Sequence, residues 1–283
     1  MRVEFYTPEY QSNDARFAAA TFGFVGHEDE SDSACIVFPK EINGIMIQGT
    51  YEECLQQIPN GEWKAGIVLL GNAGNENAFV KALSKKVRAP LVGGGAAIHP
   101  KTGEKGLITG KGQAAVFLID DTRYQFEVSC ENIHHDILSE HEITFRDARV
   151  IEAIDGQEPK EWLKNQKEKL GLAEDDFEHL TLADSSGINA HLSERDGKIC
   201  SGRDLTSRMQ LRYVSEDKVW ERMQAFYNDK DAIVFGCAGL KGILPANLKT
   251  EGVGLFLFGE VCTKDNKSEF GNLMLSKIKV CER

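Results

Sequence analysis

Two stretches of the sequence repeat one pattern, and no other feature limits the possible folds as strongly. VLLGNAG spans residues 68–74 and IVFGCAG spans residues 233–239, so Asn72 of the first stretch corresponds to Cys237 of the second. Each is a short apolar run rich in β-branched residues that stops at glycine, which is typical of a buried strand ending in a tight turn. The chain therefore forms a similar strand end twice.

Two more pairs of segments follow these stretches in the same order. APLVGGGAA (89–97) corresponds to GVGLFLFGEV (252–261), and GQAAVFLID (112–120) corresponds to GNLMLSKIKV (271–280). Matching elements in one order indicate an internal repeat. We therefore predict an α+β fold made of two pseudo-duplicated halves, each a β-sheet flanked by helices.

The segment between the repeats predicts the boundary of these halves. After a strand and a turn, a helix is predicted to begin at Pro159 and to end at Gly171, because proline suits the first turn of a helix and glycine its C-terminal cap. The acidic stretch AEDDFE (173–178) follows as a surface connection. We place the first half at residues 1–172 and the second at residues 173–283.

The charge balance and the apolar runs limit the class of partner and the compartment. The chain has 44 acidic and 33 basic residues and a net charge of -11, which argues against nucleic acid or an anionic membrane as a partner.

No apolar run reaches the roughly 18–20 residues that span a bilayer. The start, MRVEFYTPEYQ, lacks the basic and apolar regions of a signal peptide. Seven cysteines without a CxxC pair favour reduced thiols. We predict a cytoplasmic protein.

Two motifs resemble catalytic or nucleotide-binding signatures, but their surroundings do not fit. GKGQAA (110–115) matches the GxGxxA string, yet the chain continues as a strand instead of opening a helix, so a hairpin turn is predicted. LADSSGINAH (182–191) contains Asp184, Ser185, Ser186 and His191, but neither serine has the nucleophile elbow of a hydrolase around it. Its glycine and short polar residues predict a loop.

A cluster of histidines also suggests a site at first sight. VSCENIHHDILSEH contains Cys130, His134, His135 and His141. Adjacent residues of a strand point to opposite faces, and the ligand spacings of structural zinc are absent. We therefore expect exposed histidines in a polar connection and no metal site.

Cys237 is the first candidate for a binding residue. It stands where an apolar strand ends, between Gly236 and Gly239. Glycines allow close approach of a ligand, and backbone N–H groups left unpaired in such a turn favour an anion or a thiolate. Lys241 adds a positive charge nearby, so we predict that this turn holds part of a ligand.

Glu260 is the second candidate. It ends the apolar run LFLFGE, where a charge is costly unless it is paired or faces a cavity. In a duplicated fold the strand ends are neighbours, so Cys237 and Glu260 are predicted to face one pocket. That Glu260 begins a surface turn is the alternative left open. The further residues assigned to this predicted ligand site are Gly259, Asn72 and Gly94.

These residues and their order resemble the FIST family, an intracellular signal-transduction domain with an N-terminal and a C-terminal half. FGCAG, FGEV and the Gly-Asn pair before the last strand resemble its C-terminal half. VLLGNAG, PLVGGGAA and ITFRDARVIEAIDGQEPKEWLKN resemble its N-terminal half. The resemblance covers most of the chain, and it makes residues 1–172 the N-like half and residues 173–283 the C-like half.

The resemblance implies a cytoplasmic sensor of small ligands, with amino acids among them. Some members of the family bind haem and report nitric oxide, and others are substrate-recognition parts of ubiquitin ligases. Family members often place an arginine directly after the glycine of the turn, whereas this chain has Leu240 and then Lys241. A lysine does not replace a bidentate arginine. The positions carried over from the family are Cys237, Gly239, Gly259 and Glu260.

We therefore expect a sensory protein that binds a small molecule, without catalytic residues and with no cofactor required by the sequence. Backbone N–H groups around Cys237 would hold an anionic group such as a carboxylate, and Glu260 would hold an ammonium or hydroxyl group. A separate signalling protein would read the bound state, through an amphipathic helix or a homodimer face. Two alternatives are a haem-binding nitric-oxide sensor and an enzyme with Cys237 as its nucleophile.

Overall fold

The structure, a computed structural model, describes residues 42–71, 74–96, 113–244 and 251–281 in full, and the backbone of residues 2–5, 15–25, 28–38 and 282. Its strands are β1 (Arg2–Phe5), β2 (Ala15–Val25), β3 (Glu28–Phe38), β4 (Gly44–Gly49), β5 (Ala65–Leu70), β6 (Leu91–Gly95), β7 (Ala114–Ile119), β8 (Tyr124–Glu131), β9 (Asp136–Asp147), β10 (Val150–Ile154), β11 (Leu180–Ala183), β12 (Asn189–Ala190), β13 (Leu192–Arg195), β14 (Lys198–Ser201), β15 (Arg208–Tyr213), β16 (Ala232–Cys237), β17 (Val253–Leu257), β18 (Glu260–Lys264), β19 (Lys267–Gly271) and β20 (Leu275–Glu282). Its helices are α1 (Tyr51–Gln57), α2 (Glu76–Val87), α3 (Pro159–Leu170), α4 (Glu216–Tyr227) and α5 (Ala238–Gly242).

The ends of the helices follow local sequence signals. Thr50 and Glu53 form a capping box at the start of α1, so each side chain accepts a hydrogen bond from the other residue's backbone N–H. Helix α3 begins at Pro159 and ends at Leu170, and Gly171 follows as a C-cap in the left-handed conformation. The predicted bounds of this helix are confirmed.

The strands form three sheets. Sheet I has the order β1-β3-β2-β17-β16-β20-β8, sheet II has the order β19-β18-β6-β5-β7-β4, and sheet III has the order β12-β11-β15-β9-β10-β14-β13. Sheets I and II contain both parallel and antiparallel pairs. Sheets of this kind accompanied by helices make an α+β fold, as predicted.

The faces of β5 show how sheets I and II are packed. Ile67 and Leu69 lie in a core with Phe235 of β16 and Ile278 of β20, so sheets I and II pack face to face. The alternating residues of β5 turn to the opposite face, where Val68 packs with side chains of α1 and α2. On the outer face of sheet I, residues of α4 and α5 pack against β16 and β17. Helix α3 covers sheet III in the same way.

Sheets I and II share a pattern of strand pairing. In sheet II, β5 is parallel to β6 and antiparallel to β7, and β7 is antiparallel to β4. In sheet I, β16 is parallel to β17 and antiparallel to β20, and β20 is antiparallel to β8. The neighbouring strands β6-β5-β7-β4 and β17-β16-β20-β8 therefore have the same relative directions.

Each of these two sheets also contains strands from the far part of the chain. The hairpin β18–β19 follows β17 of sheet I, yet β18 pairs with β6 in sheet II. The hairpin β2–β3 precedes β4 of sheet II, yet β2 pairs with β17 in sheet I. Sheet III likewise joins β9 and β10 to β11–β15. All three sheets thus contain strands from both sides of the boundary predicted after residue 172, which stays a prediction.

Candidate functional site

The candidate site lies where β16, β17 and β18 meet. Cys237 is the last residue of β16 and pairs with Leu257, the last residue of β17. The chain then turns through Phe258 and Gly259 and begins β18 at Glu260. The turn brings the strand end that carries Cys237 next to the strand start that carries Glu260.

Gly259 makes this turn possible. Its φ is +95°, a backbone conformation that residues with a side chain rarely adopt. A Cβ atom at this position would lie 2.2 Å from the Phe270 ring and 2.9 Å from Nδ2 of Asn272. Only glycine therefore fits between the turn and β19.

Gly94, which the sequence assigned to the site, lies on the neighbouring strand. It is the partner of Glu260 in the antiparallel pairing of β6 with β18. A Cβ atom on Gly94 would lie 2.1 Å from the carbonyl oxygen of Gly259. The absent side chain allows the two backbones to approach, so Gly94 shapes the site through the backbone.

The Glu260 carboxyl group is fully buried. Its Oε2 accepts a hydrogen bond of 3.1 Å from the Met274 N–H, and its Oε1 has no hydrogen-bond partner among the described residues. Burial raises the pKa of Glu260 well above its usual range, and the nearby Met274 N–H, Cys237 thiol and Gly259 N–H oppose this rise only in part. Burial therefore favours the protonated form of Glu260, and the residue does not begin a surface turn.

The Cys237 thiol is also buried, with 6% of the residue exposed. Burial raises its pKa and the charge of Glu260 adds to the rise, while hydrogen bonds from the backbone N–H groups of Leu273, Gly239 and Gly259 lower it. Of these three donors, only the Gly239 N–H belongs to the turn in which the sequence predicted unpaired N–H groups. The pKa increase caused by burial and Glu260 is larger than the decrease caused by the N–H donors, so Cys237 is a neutral thiol at neutral pH.

Tyr227 is a third buried acid at this site, and the sequence analysis did not find it. It ends α4, its ring stacks on Phe256 with centroids 5.9 Å apart, and a Cβ atom on Gly236 would lie 2.4 Å from its hydroxyl oxygen. Burial raises the pKa of Tyr227, and the charges of Glu260 and Cys237 add to it. Its position in an amphipathic helix predicts a core residue and gives no sign of a polar contact.

Glu178 and His191 lie on the Gly239 side of the site and were also missed as a pair. A Cβ atom on Gly239 would lie 3.7 Å from Cγ of Glu178 and 3.8 Å from Sγ of Cys237. Oε1 of Glu178 is 3.6 Å from Nε2 of His191, and His191 lowers the pKa of Glu178. Glu178 lies in the connection from α3 to β11 and His191 in the connection from β12 to β13, and no local pattern predicts the positions of such connections.

The other two residues predicted for the site are less closely tied to it. The ammonium group of Lys241, in α5, lies 5.7 Å from the centroid of the Phe256 ring. Asn72 lies outside the described residues.

The histidine cluster separates in the structure. His135 pairs with Glu131 at 2.6 Å, and His141 pairs with Asp155 at 2.6 Å. His134 is fully buried, so the expectation of exposed histidines is wrong for this residue. In the described part of the chain, no three histidine, cysteine, aspartate or glutamate side chains are arranged to hold a metal ion.

The expectation of reduced cysteines is wrong for two of them. Cys130 of β8 and Cys262 of β18 form a disulfide that links sheet I to sheet II. Neither spacing nor count predicts the pair, because 132 residues separate them and the total of seven is odd. Cys54, Cys200, Cys237 and Cys281 are free.

The two rejected motifs lie in turns or at a strand start. Oδ1 of Asp184 accepts hydrogen bonds from the backbone N–H groups of Ser186 and Ile188, which is the turn chemistry expected of this loop. In GKGQAA, residues 110–112 lie outside the described residues and β7 begins at Ala114.

Comparison with known proteins finds no family model that matches the chain and no curated protein that it matches significantly. Among the helices of the described residues, none has the length and apolar character needed to cross a bilayer.

Proposed function

We propose that this protein is a FIST-like sensory protein that binds a small molecule at the site formed by Cys237, Gly239, Gly259 and Glu260. The observation that carries the proposal is the Oε1 atom of Glu260, which is buried without a hydrogen-bond partner among the described residues. A buried polar atom left unpaired costs about 1–3 kcal/mol. A ligand group that forms a hydrogen bond with this atom would remove that cost. The free energy so recovered would contribute to the affinity for the ligand.

The protonation of the site indicates what kind of ligand group fits. A neutral Glu260 carboxyl group can donate to a carboxylate or carbonyl oxygen, or accept from a hydroxyl group. An ammonium group would instead require Glu260 to lose its proton, so its binding would release a proton and strengthen with pH. Amino acids and small carboxylates, with Lys241 as an additional cation at the rim, remain the ligand classes that we propose.

The shared strand pattern of sheets I and II supports our proposal that the fold arose by internal duplication. The strands β6-β5-β7-β4 and β17-β16-β20-β8 have the same directions and contain the three pairs of segments that repeat in the sequence. In this proposal the halves are residues 1–172 and 173–283, and Glu260 reaches the first half through its pairing with Gly94.

Signal output is the part of the proposal that depends on a second molecule. We propose that ligand binding favours one arrangement of the site and that a separate signalling protein, or a second copy of the chain, reads it. We propose the cytoplasm as the location. In the cytoplasm, glutathione and thioredoxin would act on the Cys130–Cys262 disulfide as reductants.

Neither alternative function gains support from a specific observation. A nucleophilic cysteine needs a lowered pKa or an adjacent base, whereas burial and Glu260 raise the pKa of Cys237. The histidines that prompted the haem alternative bond to Glu178, Glu131 and Asp155.

A thermal-shift screen against amino acids and small carboxylates tests the proposal. A ligand present at about one hundred times its dissociation constant adds roughly 2.7 kcal/mol to the free energy of unfolding. The shift should disappear in Glu260→Gln and weaken in Cys237→Ser, and it should persist in Glu168→Gln, a change at an exposed glutamate of α3. A shift that Glu260→Gln leaves intact, or a panel without any shift, would overturn the assignment of this site.

A further inference from the structure

A cavity of about 290 Å³ lies against the disulfide, and Cys237 is not part of its lining. Cys130 forms part of its wall, and Arg212 of β15, Lys264 of β18 and the turn at Gly187 form other parts. Its size is near the lower end of the range for small-molecule sites. The proposed site at Glu260 does not include these residues.

The charges of this cavity are unbalanced. Nε and Nη2 of Arg212 donate to Oε1 of Gln210 at 3.2 and 2.8 Å, and Nζ of Lys264 donates to the carbonyl oxygen of Ser186 at 3.0 Å. Arg212 is partly buried. Among the described residues, no carboxylate lies within ion-pair distance of either cation. A partly buried cation without a counter-ion is costly, and an anionic ligand would supply that counter-ion.

The acidic groups near the cavity have other partners. Glu131, in the cavity wall, pairs with His135 at 2.6 Å. Asp184, the acid whose charge acts on Arg212, pairs with the buried Arg203 at 3.0 Å. With Arg212 and Lys264 against the single carboxylate of Glu131, the lining of the cavity has a net positive charge in a protein whose net charge is -11.

The two cations point to one place. A Cβ atom on Gly187 would lie 3.6 Å from Nη2 of Arg212 and 3.8 Å from Nζ of Lys264. Since Gly187 has no side chain, the space between the two cations stays open. A compact anion with two or more oxygens can contact both, with one oxygen facing each cation.

The walls of the cavity are held in position by contacts of their own. Nδ2 of Asn132 donates to the carbonyl oxygen of Gly187 at 2.8 Å, and the side-chain amides of Asn132 and Asn189 bond to each other in both directions. The Cys130–Cys262 disulfide fixes the opposite wall. A preformed site loses less free energy on binding than one that must first be ordered.

We propose that this cavity binds a small oxyanion, a phosphate or carboxylate group, between Arg212 and Lys264. The site is separate from the one at Glu260, and the proposal does not depend on the function assigned there. Met274, in the β19–β20 connection, lines the cavity and donates its backbone N–H to Glu260. The two sites therefore share this one residue.

Titration calorimetry with inorganic phosphate and, separately, with succinate tests the proposal on the full chain. We expect saturable binding of at least one of them, with tighter binding of phosphate indicating a phosphoryl ligand and tighter binding of succinate a carboxylate. Lys264→Met and Arg212→Met should each weaken binding at least about tenfold, because each removes a charge-assisted hydrogen bond. Glu168→Gln, at an exposed position of α3, should leave the affinity unchanged.

Two matched variants separate a specific site from general charge. Arg208→Met removes an exposed cation from the same strand as Arg212, and Lys198→Met removes one from β14. Both should bind phosphate or succinate as the wild type does. If Arg212→Met does not fold, Lys264→Met decides the question. Failure of both probes to bind at millimolar concentration, or equal weakening by Lys198→Met and Lys264→Met, would overturn the proposal.

Discussion

Nε2 of His134 donates a hydrogen bond of 2.7 Å to the carbonyl oxygen of Glu178. On the other side of the ring, Nδ1 accepts from Nδ2 of Asn189 at 3.1 Å. These two bonds satisfy a neutral ring with its proton on Nε2, and burial lowers the pKa of His134 to about 4. The segment that places Glu178 near Cys237 is therefore held in position by an uncharged histidine.

The first prediction concerns acid stability. His134 binds a proton below pH 6.5 in the unfolded chain but only near pH 4 in the folded chain. The stability that its neutral ring contributes is therefore complete above pH 6.5 and is lost as the pH falls toward 4. We expect a loss of about 3 kcal/mol between those values. Urea unfolding from pH 7.5 to pH 4 measures it. His134→Gln should flatten the acid limb, and His135→Gln should not; equal slopes in all three proteins would contradict the prediction.

Glu260 gives the opposite dependence on pH. Its folded pKa is raised, so the stability that its protonated form contributes is complete below pH 4.5 and is lost as the pH rises toward the folded pKa. Relative to Glu260→Gln, the wild type should lose up to about 1.4 kcal/mol per pH unit in that window. Unfolding curves of the two proteins from pH 5 to pH 9 provide the comparison, with Glu168→Gln as the control. Parallel curves for wild type and Glu260→Gln would rule out a buried, protonated carboxyl group.

Removal of the disulfide should lower stability substantially. Cys130 and Cys262 close a long loop, and cross-links of this kind contribute about 2–4 kcal/mol. We expect Cys130→Ser combined with Cys262→Ser to lower the free energy of unfolding by that amount, whereas Cys200→Ser should change it little. Peptide mapping without reductant should recover the linked pair. Recovery of both cysteines as free thiols from oxidised protein would show that the pairing is wrong.

A methyl group at Gly259 should disrupt the turn before Glu260. Gly259→Ala combines an unfavourable φ with a clash against Phe270, and we expect a cost of about 3 kcal/mol or more in unfolding free energy. Gly171→Ala is the matched control, because it has a similar left-handed φ but open space at its Cβ position. It should cost only about 1 kcal/mol. Equal effects of the two changes would mean that the turn tolerates a side chain.

The parts of the fold that local pattern determines could be predicted from the sequence. The strands that end in glycine and the helix that begins at Pro159 follow from short-range signals, and the closeness of Cys237 to Glu260 follows from the repeat of these strand ends. Apolar runs bounded by glycine specify a strand and its end, whatever the rest of the chain does.

Long-range pairing was not accessible in the same way. Nothing local shows that β18 pairs with β6, or that Cys130 meets Cys262, because such contacts depend on the register of whole sheets. Arg203 illustrates the problem for single residues. It stands in the polar stretch SGRDLT and is 2% exposed, since Asp184 and Glu269 pair with it in the interior.

The pairing of β18 with β6 has a consequence for synthesis of the chain. The ribosome completes β4–β7 long before it makes β18, so the β6 edge of sheet II has no partner while most of the protein is translated. Unpaired edges invite aggregation. The residues of this edge that pair in register with β18 are Gly93 and Gly94, and glycine is a poor strand former that offers no side chain to a foreign strand. The residues that admit Glu260 in the finished protein are thus also poor pairing partners for a foreign strand before β18 is made.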